Sequence, residues 1–175
     1  MAVAQFPEFR TGKVLATRFT GTLSERYGET LERIPVPSRL ADWLADNGLA
    51  VDSCDQAHLD RARELRESIH AAATALANQS PLPPSAVRVI NECSTEGRAS
   101  AVLTPEGGRE WRLASASPED ALSVIAADAI SRERERFRPL VEGRQGVGGV
   151  YDLWRRLRAR LHGERFQPGH LEQRP

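Results

Sequence analysis

A short helix that carries both its start signal and its stop signal is the feature that most constrains how this chain folds. The Pro37-Ser38 pair marks the start, because the Ser38 hydroxyl can cap the first free backbone amides. Gly48 marks the stop, because glycine readily adopts the left-handed conformation that ends helices, and Leu49 can fold back on the last turn. The pattern predicts a helix over Ser38–Asn47, whose apolar face holds Leu40, Trp43 and Leu44.

A longer amphipathic pattern follows, with Asp55 as its candidate cap. It predicts a helix over Gln56–Asn78, which the Pro-rich stretch Ser80–Pro84 then breaks. The inward positions keep the 3.6-residue period of a helix with one buried face. They are Leu59, Ala62, Leu65, Ile69, Ala72 and Ala73.

The rest of the chain predicts a small sheet and three more helices. Ala99–Thr104 and Glu110–Ser115 alternate as strands do, and Pro105–Gly108 joins them as a hairpin loop. We expect a further strand near Val14–Phe19 to join this hairpin. The additional helices are predicted over Ser85–Ser94, Pro118–Arg136 and Tyr151–His162.

Together these elements predict an α+β fold. It would be a mainly helical single domain with a small antiparallel hairpin sheet and a C-terminal basic helix. We expect a flexible lead-in over residues 1–13 and the domain over residues 14–142. A Gly-rich hinge over residues 143–150 would then lead to the basic helix and tail over residues 151–175.

Charge, cysteine content and hydropathy exclude several classes of protein. The chain has 24 basic and 24 acidic residues, so the whole molecule has no strong field. Two cysteines are too few for a disulfide framework or a four-ligand zinc site. No apolar run approaches the roughly 20 residues of a membrane span, and no signal peptide pattern precedes the domain. We therefore expect a cytoplasmic protein without membrane contact.

Several short motifs follow one another in a characteristic order. They are Leu15–Thr22, Gly28-Glu29, Trp43-Leu44, Gly48-Leu49, Leu65–Ile69, Ile90-Asn91, Trp111 and Ala121–Ile130. In order and spacing they resemble the ABATE domain family, bacterial proteins regarded as stress-induced transcription regulators. The resemblance covers about residues 14–140 and implies a regulatory role.

The chain departs from that family in two places. The family signature reads approximately Leu-x-x-Asp-Phe-Val-Asn-Thr, and here Arg18 and Gly21 stand at the Asp and Asn positions. Typical members continue into a zinc finger with a Cys-Gly-Asn-Arg motif, thought to bind DNA. This chain has no cysteine after Cys93, and a structural zinc needs about four Cys or His ligands. The finger's DNA-binding residues therefore have no counterparts here.

The basic helix predicted over Tyr151–His162 stands where the finger would be. Its arginines could contact DNA phosphates, or the helix could dock on a protein partner or a second copy of the chain. It could equally pack its apolar stripe on the domain and leave the arginines in solvent. The candidate contact residues are Arg155, Arg156, Arg158 and Arg160.

Residues around the family signature are the best candidates for a small-molecule pocket. Aromatic rings and guanidinium groups together could hold a planar or anionic ligand. The predicted pocket residues are Arg18, Phe19, Thr22, Arg26 and Trp43. The alternative is that the two aromatic residues belong to the core.

Metal and cofactor chemistry has little support in the sequence. Cys54, His58, His70 and Cys93 could together form a metal or haem site, but their spacing is not a recognised ligand pattern. We therefore expect no metal and no cofactor. His70 is interpreted as a half-buried helix residue rather than a catalyst.

The leading hypothesis is a regulatory or ligand-sensing module similar to the ABATE half of a transcription regulator. The alternative is a small-molecule enzyme of a biosynthetic pathway, in which Arg18 would supply a charge for an anionic substrate or cofactor. A dimerising scaffold is a third hypothesis. The sequence leaves open whether the protein is catalytic.

Overall fold

The computed structural model describes residues 6–26 and 28–142. The chain divides into two compact units, Met1–Glu133 and Arg134–Pro175. Of the second unit the described part is the end of the last helix. The helices are α1 (Leu15–Thr20), α2 (Pro37–Asp46), α3 (Gln56–Ala77), α4 (Pro84–Glu96) and α5 (Pro118–Glu142), and the strands are β1 (Leu23–Ser24), β2 (Leu31–Glu32), β3 (Ala99–Leu103) and β4 (Arg109–Leu113). This confirms the α+β class.

The long helix α3 begins with a reciprocal cap. The Asp55 carboxylate accepts a hydrogen bond from the backbone N–H of His58, and the His58 ring accepts one from the backbone N–H of Asp55. Such pairs satisfy two amides that a helix start leaves free. Helix α3 packs against α1, α2 and α4, so this cap anchors the centre of the domain.

Helix α2 ends as its sequence predicts but begins differently. Gly48 has a φ of +72°, and the backbone N–H of Leu49 donates to the Leu44 carbonyl across 2.9 Å. At the start, Val36 is the cap residue and Pro37 occupies the first helical position. The prediction that Ser38 caps the helix is therefore wrong: proline supplies the preset φ of the first turn, and Ser38 lies inside it.

One apolar core unites the helices. It is made of buried side chains from all five helices and from the segments that join α1 to α2 and α2 to α3. The largest fully buried members are Trp43, Phe19, Ile34, Leu40, Leu44, Leu49, Leu59, Leu65, Ile125, Val124 and Cys93.

The strand predicted near Val14–Phe19 is wrong, because this segment is helix α1. Its three buried residues are Leu15, Ala16 and Phe19. Adjacent residues of a strand face opposite sides, whereas positions i, i+1 and i+4 share one side of a helix. Burial of this face overrides the β preference of the surrounding residues.

Two separate two-stranded antiparallel sheets form within the described residues. In the first, Leu23 lies opposite Glu32 and Ser24 opposite Leu31. The second is the predicted β3–β4 hairpin, with Ala101 opposite Trp111 at its centre. The first sheet follows α1 directly and shapes the region described next.

The hairpin is fastened to the start of α5 by Asp120. Its carboxylate accepts hydrogen bonds from the backbone N–H groups of Arg98 and Ser115, the second across 2.7 Å. Gly97 allows this close approach, because a Cβ atom there would lie 2.2 Å from the Glu119 carbonyl oxygen. The hairpin and α5 are therefore in backbone contact.

Helix α5 continues to Glu142, beyond the predicted end at Arg136. The helical backbone is therefore longer than the apolar pattern from which it was predicted. The hinge predicted over 143–150 and the basic helix over Tyr151–His162 lie outside the described residues. Within the described part of the chain, none of the helices has the length and apolar character of a membrane span.

Candidate functional site

A cleft of about 830 Å³ opens beside α1. Its walls come from the segment before α1, from α1 itself, from the turn and strand that follow, and from one residue of α3. The lining residues are Arg10, Thr11, Gly12, Lys13, Val14, Thr17, Arg18, Thr20, Gly21, Leu23, Ser24, Glu25, Arg26, Gly28 and His70. The volume falls within the range of small-molecule sites, which is about 300–1,000 Å³.

The segment before α1 is held in place by two arginines of the domain. Arg33 Nε donates to the Glu8 carbonyl across 2.8 Å, and Arg39 Nη2 donates to the Pro7 carbonyl across 2.9 Å. The Arg39 guanidinium also lies 3.9 Å from the centre of the Phe9 ring. These contacts bring part of the predicted lead-in to the edge of the cleft.

Positive charge dominates the cleft. Four of its lining residues are cationic and one is a carboxylate: Arg10, Lys13, Arg18, Arg26 and Glu25. Two of the cations have acidic partners. Arg10 contacts Glu25 at 3.4 Å with both side chains exposed, and Arg26 donates through both terminal nitrogens to Glu67 of α3.

Arg18 is the cation that α1 itself contributes to the cleft. Among the described residues, neither Arg18 nor Lys13 forms an ion pair, and the buried Nε of Arg18 has no hydrogen-bond partner. Gly12 makes room for the stem of Arg18, since a Cβ atom at Gly12 would lie 3.3 Å from the Arg18 Cγ. The Arg18 charge is thus held at the wall of the cleft without a described counter-charge.

A further arginine lies behind the cleft wall. Arg33 is 7% exposed, and its Nη1 donates to the Ser24 hydroxyl across 2.7 Å and to the Gly21 carbonyl across 3.3 Å. Its described hydrogen bonds thus go to carbonyl and hydroxyl oxygens. A buried charge is usually paired with an opposite one. Arg33 therefore adds positive potential at Gly21 and Ser24, which line the cleft.

His70 closes the cleft on the α3 side. Burial lowers the pKa of its imidazole, and the nearby Arg26 charge lowers this pKa further, while Glu67 opposes the shift. The ring is therefore neutral at pH 7 and could accept or donate a hydrogen bond without adding charge.

The predicted aromatic residues lie elsewhere. Phe19 and Trp43 are fully buried, with ring centroids 5.1 Å apart at a tilt of 51°. They form the core beneath α1 and do not line the cleft. Of the five predicted pocket residues, Arg18 and Arg26 are the ones that the structure brings to the cleft.

Thr22 joins two of the family motifs inside the domain. Its hydroxyl donates to the Phe19 carbonyl across 2.7 Å and accepts from Arg66 Nη1 across 3.1 Å. Arg66 is buried and forms a two-point ion pair with Glu32 at 2.8 and 2.9 Å. Thr22 therefore positions α1 and the first sheet against α3, behind the cleft rather than in it.

Sequence reasoning missed much of the cleft wall, namely Arg10, Lys13, Glu25 and His70, and it missed Arg33 behind that wall. The sequence does show that Lys13 is the single lysine of the chain, but no spacing connects it to residue 33 or 70. Their proximity arises from packing between elements that are distant in the chain.

The two cysteines and the histidines do not form a metal site among the described residues, where no cluster of three or more suitable side chains occurs. Burial raises the pKa of both Cys54 and Cys93 to about 11. Both thiols are therefore protonated at neutral pH and are poor nucleophiles.

Comparison with known proteins agrees with the order of motifs. The model of the ABATE family, which is described as "Putative stress-induced transcription regulator", matches residues 13–134. No curated protein and no solved structure matches the chain significantly. The matched region contains α1 to α4, both sheets and most of the described part of α5.

Proposed function

This chain belongs to the ABATE family, and from that premise we propose that it is a ligand-sensing module of a bacterial transcription regulator. In this proposal a small molecule binds the cleft beside α1, with Arg18 and Arg26 at its wall, and occupancy alters the contacts of the C-terminal segment. Such a protein would act in the cytoplasm.

The observation that carries this proposal is the position of α1 between the cleft and α5. Arg18 of α1 lines the cleft, while the backbone N–H of Ala16 donates to the Asp128 carboxylate on α5 across 3.1 Å. A ligand that shifts α1 would therefore act on α5 through this hydrogen bond. Coupling of this kind requires an element whose two arrangements bind the ligand differently.

The arginine-rich segment after α5 is the proposed output. Arg155, Arg156, Arg158 and Arg160 would contact a protein partner, a second copy of the chain or DNA. Replacing all four with Gln separates these outcomes. Loss of DNA binding in a gel-shift series at low salt would identify DNA, because phosphate contacts are strongest there. Loss of self-association in analytical ultracentrifugation would identify a dimer contact.

Transcript profiling in the source bacterium tests the regulatory role. We expect deletion of the gene to change a defined set of transcripts under stress, and Arg18→Gln to reproduce part of that change. Arg88→Gln serves as the matched control, because Arg88 is an exposed arginine of α4 paired with Glu92, away from the cleft. An unchanged transcript set in the deletion strain would contradict the proposal.

One observation favours an enzyme as the second candidate. His70, whose imidazole is neutral at pH 7, lines the cleft and could act as a base. An activated base is normally oriented by a third group, and among the described residues no carboxylate accepts a hydrogen bond from this ring. An enzyme would release a product that mass spectrometry can detect, and His70→Asn would abolish that release while leaving ligand binding in place.

A further inference from the structure

We propose that the cleft recognises small molecules through an oxyanion, a phosphate or carboxylate group, which Lys13 and Arg18 contact directly. This inference rests on the proposed sensing function and specifies the chemical class of its ligand.

The first argument is the balance of charge. Counting the lining residues and Glu67, the carboxylates of Glu25 and Glu67 oppose four cations. Both carboxylates are already engaged by Arg10 and Arg26. Lys13 and Arg18 therefore keep their charges available, and a ligand that brings negative charge to this wall would compensate them.

The second argument is Arg33. It is held by the Glu8 and Gly21 carbonyls and the Ser24 hydroxyl rather than by a described acid, so its charge is only partly compensated inside the domain. Because the low dielectric of a protein interior screens charge poorly, this guanidinium raises the potential over Gly21 and Ser24. The positive potentials of Lys13, Arg18 and Arg33 would therefore all attract an anion in the cleft.

The third argument is the type of donor. The planar guanidinium of Arg18 can offer two parallel N–H groups to a phosphate or carboxylate, whereas the ammonium of Lys13 is a mobile point charge. The exposed hydroxyls of Thr11 and Thr17 line the same cleft and add neutral donors. Together a guanidinium, an ammonium group and hydroxyls suit an anionic group on a small molecule.

Shape favours a small molecule over a nucleic acid. The cations line a concave space of about 830 Å³ rather than a ridge. Proteins that bind DNA usually place their cations along an exposed surface that follows the phosphate backbone. A small ligand in this cleft would instead contact the segment before α1, α1 and β1.

Lys13 provides a direct test because it is the single lysine in the chain. Reductive methylation with ¹³C-formaldehyde keeps its charge and gives one lysine resonance besides that of the N-terminal amine. Pyrophosphate and citrate are titrated into the full chain at about 0.15 M salt, where the Debye length is about 8 Å. Succinamide, which carries no charge, is titrated in the same way as the control. Saturable shifts of the Lys13 resonance with an anion, and none with succinamide, are the expected result.

A variant pair tests whether the response belongs to the cleft. We expect Arg18→Gln to weaken anion binding by about tenfold or more, since a charge-assisted hydrogen bond is lost. Arg88→Gln removes one arginine from another face and should leave the affinity unchanged. Because both variants lower the net charge equally, a nonspecific charge effect would weaken binding equally. A melting curve confirms that each variant is folded.

Three results would overturn the proposal. They are a Lys13 resonance that neither anion nor a short DNA duplex shifts, a resonance that the duplex shifts but neither anion does, and equal weakening in the two variants. If the transcript response to gene deletion persists in these cases, the regulatory function stands and only the ligand class is wrong. If the anions bind but deletion changes no transcript, the site stands and the regulatory function fails.

Discussion

The carboxylate of Asp128 accepts a hydrogen bond from the backbone N–H of Ala16 across 3.1 Å, although the two residues are 112 positions apart in the chain. Its other oxygen accepts from Arg109 Nη2 of β4 across 3.2 Å. One buried side chain therefore ties together the first helix, the last described helix and the hairpin.

Replacement of Asp128 by Ala should lower the free energy of unfolding by roughly 2–4 kcal/mol, since it leaves a buried amide of α1 without its acceptor and Arg109 without its acid. Urea denaturation followed by circular dichroism measures this. Asp42→Ala is the matched control, because the exposed side chain of Asp42 pairs with Arg39 at 3.4 Å. Asp42→Ala should lower the free energy of unfolding by less than about 1 kcal/mol. Equal losses in the two variants would contradict the central position of Asp128.

Replacement of Phe19 by Ala should lower the free energy of unfolding by about 3–5 kcal/mol, because it opens a cavity against Trp43 in the core. Tryptophan fluorescence during urea denaturation reports the change. Leu103, which is 78% exposed on β3, provides the control, and Leu103→Ala should stay within about 0.5 kcal/mol of wild type. A Phe19→Ala variant of normal stability would mean that the ring is not a core residue.

Replacement of Asp120 by Asn should change how stability depends on pH. Burial disfavours the Asp120 carboxylate, but N–H donors from Arg98 and Ser115 outweigh it and lower its pKa below the ordinary 3.8. A carboxyl group whose pKa is lower in the folded state stabilises the protein above the unfolded pKa, and this contribution is lost as pH falls through the folded pKa.

We therefore expect Asp120→Asn to cost roughly 2–3 kcal/mol at pH 7, since hydrogen bonds to a charged acceptor are lost. The difference from wild type should shrink as the pH falls below about 4. Urea titrations at a series of pH values test this, with Glu106→Gln in the exposed hairpin loop as the control. A difference that stays constant down to pH 2 would show that the carboxylate charge is not responsible.

Replacement of Gly97 by Ala should destabilise the protein by about 1–3 kcal/mol or more, since the new methyl group would overlap the Glu119 carbonyl. Thermal unfolding measures the effect. At Gly28 an added Cβ would meet open space, so Gly28→Ala is the control and should be close to neutral. A neutral Gly97→Ala would mean that the hairpin can move away from α5.

Local sequence signals predicted the elements whose burial repeats regularly. The stripe of Leu40, Trp43 and Leu44 defined α2, and the apolar period of Gln56–Asn78 defined α3 within one residue. The hairpin was also predicted, because its strands flank a loop with two glycines. In each case the signal lies within one short segment.

Elements that depend on distant partners were not predictable in this way. Helix α1 has only six residues, too short to nucleate alone, and it forms because Phe19 is buried in a core built by later helices. The first sheet pairs two strands of two residues each, so it has too few positions to show alternation.

The candidate site was predictable only where a local motif marked it. Arg18 and Arg26 were found because they lie near the family signature. His70 reaches the cleft, and Arg33 lies behind its wall, through packing that no local pattern records. Phe19 and Trp43 were placed in the predicted pocket by their chemistry, yet burial of their apolar surface in the core stabilises the fold more than exposure in an open cleft would.

The hydrogen bond from Ala16 to Asp128 also sets an order of events during synthesis on the ribosome. At elongation rates of about 5–20 residues per second, α1 leaves the exit tunnel roughly 6–22 s before its acceptor does. Until then α1 can pack against α3 but lacks its hydrogen bond to α5. The wall that α1 contributes to the cleft is therefore fixed to α5 only after Asp128 has been made, although Ala16 precedes Asp128 by 112 positions.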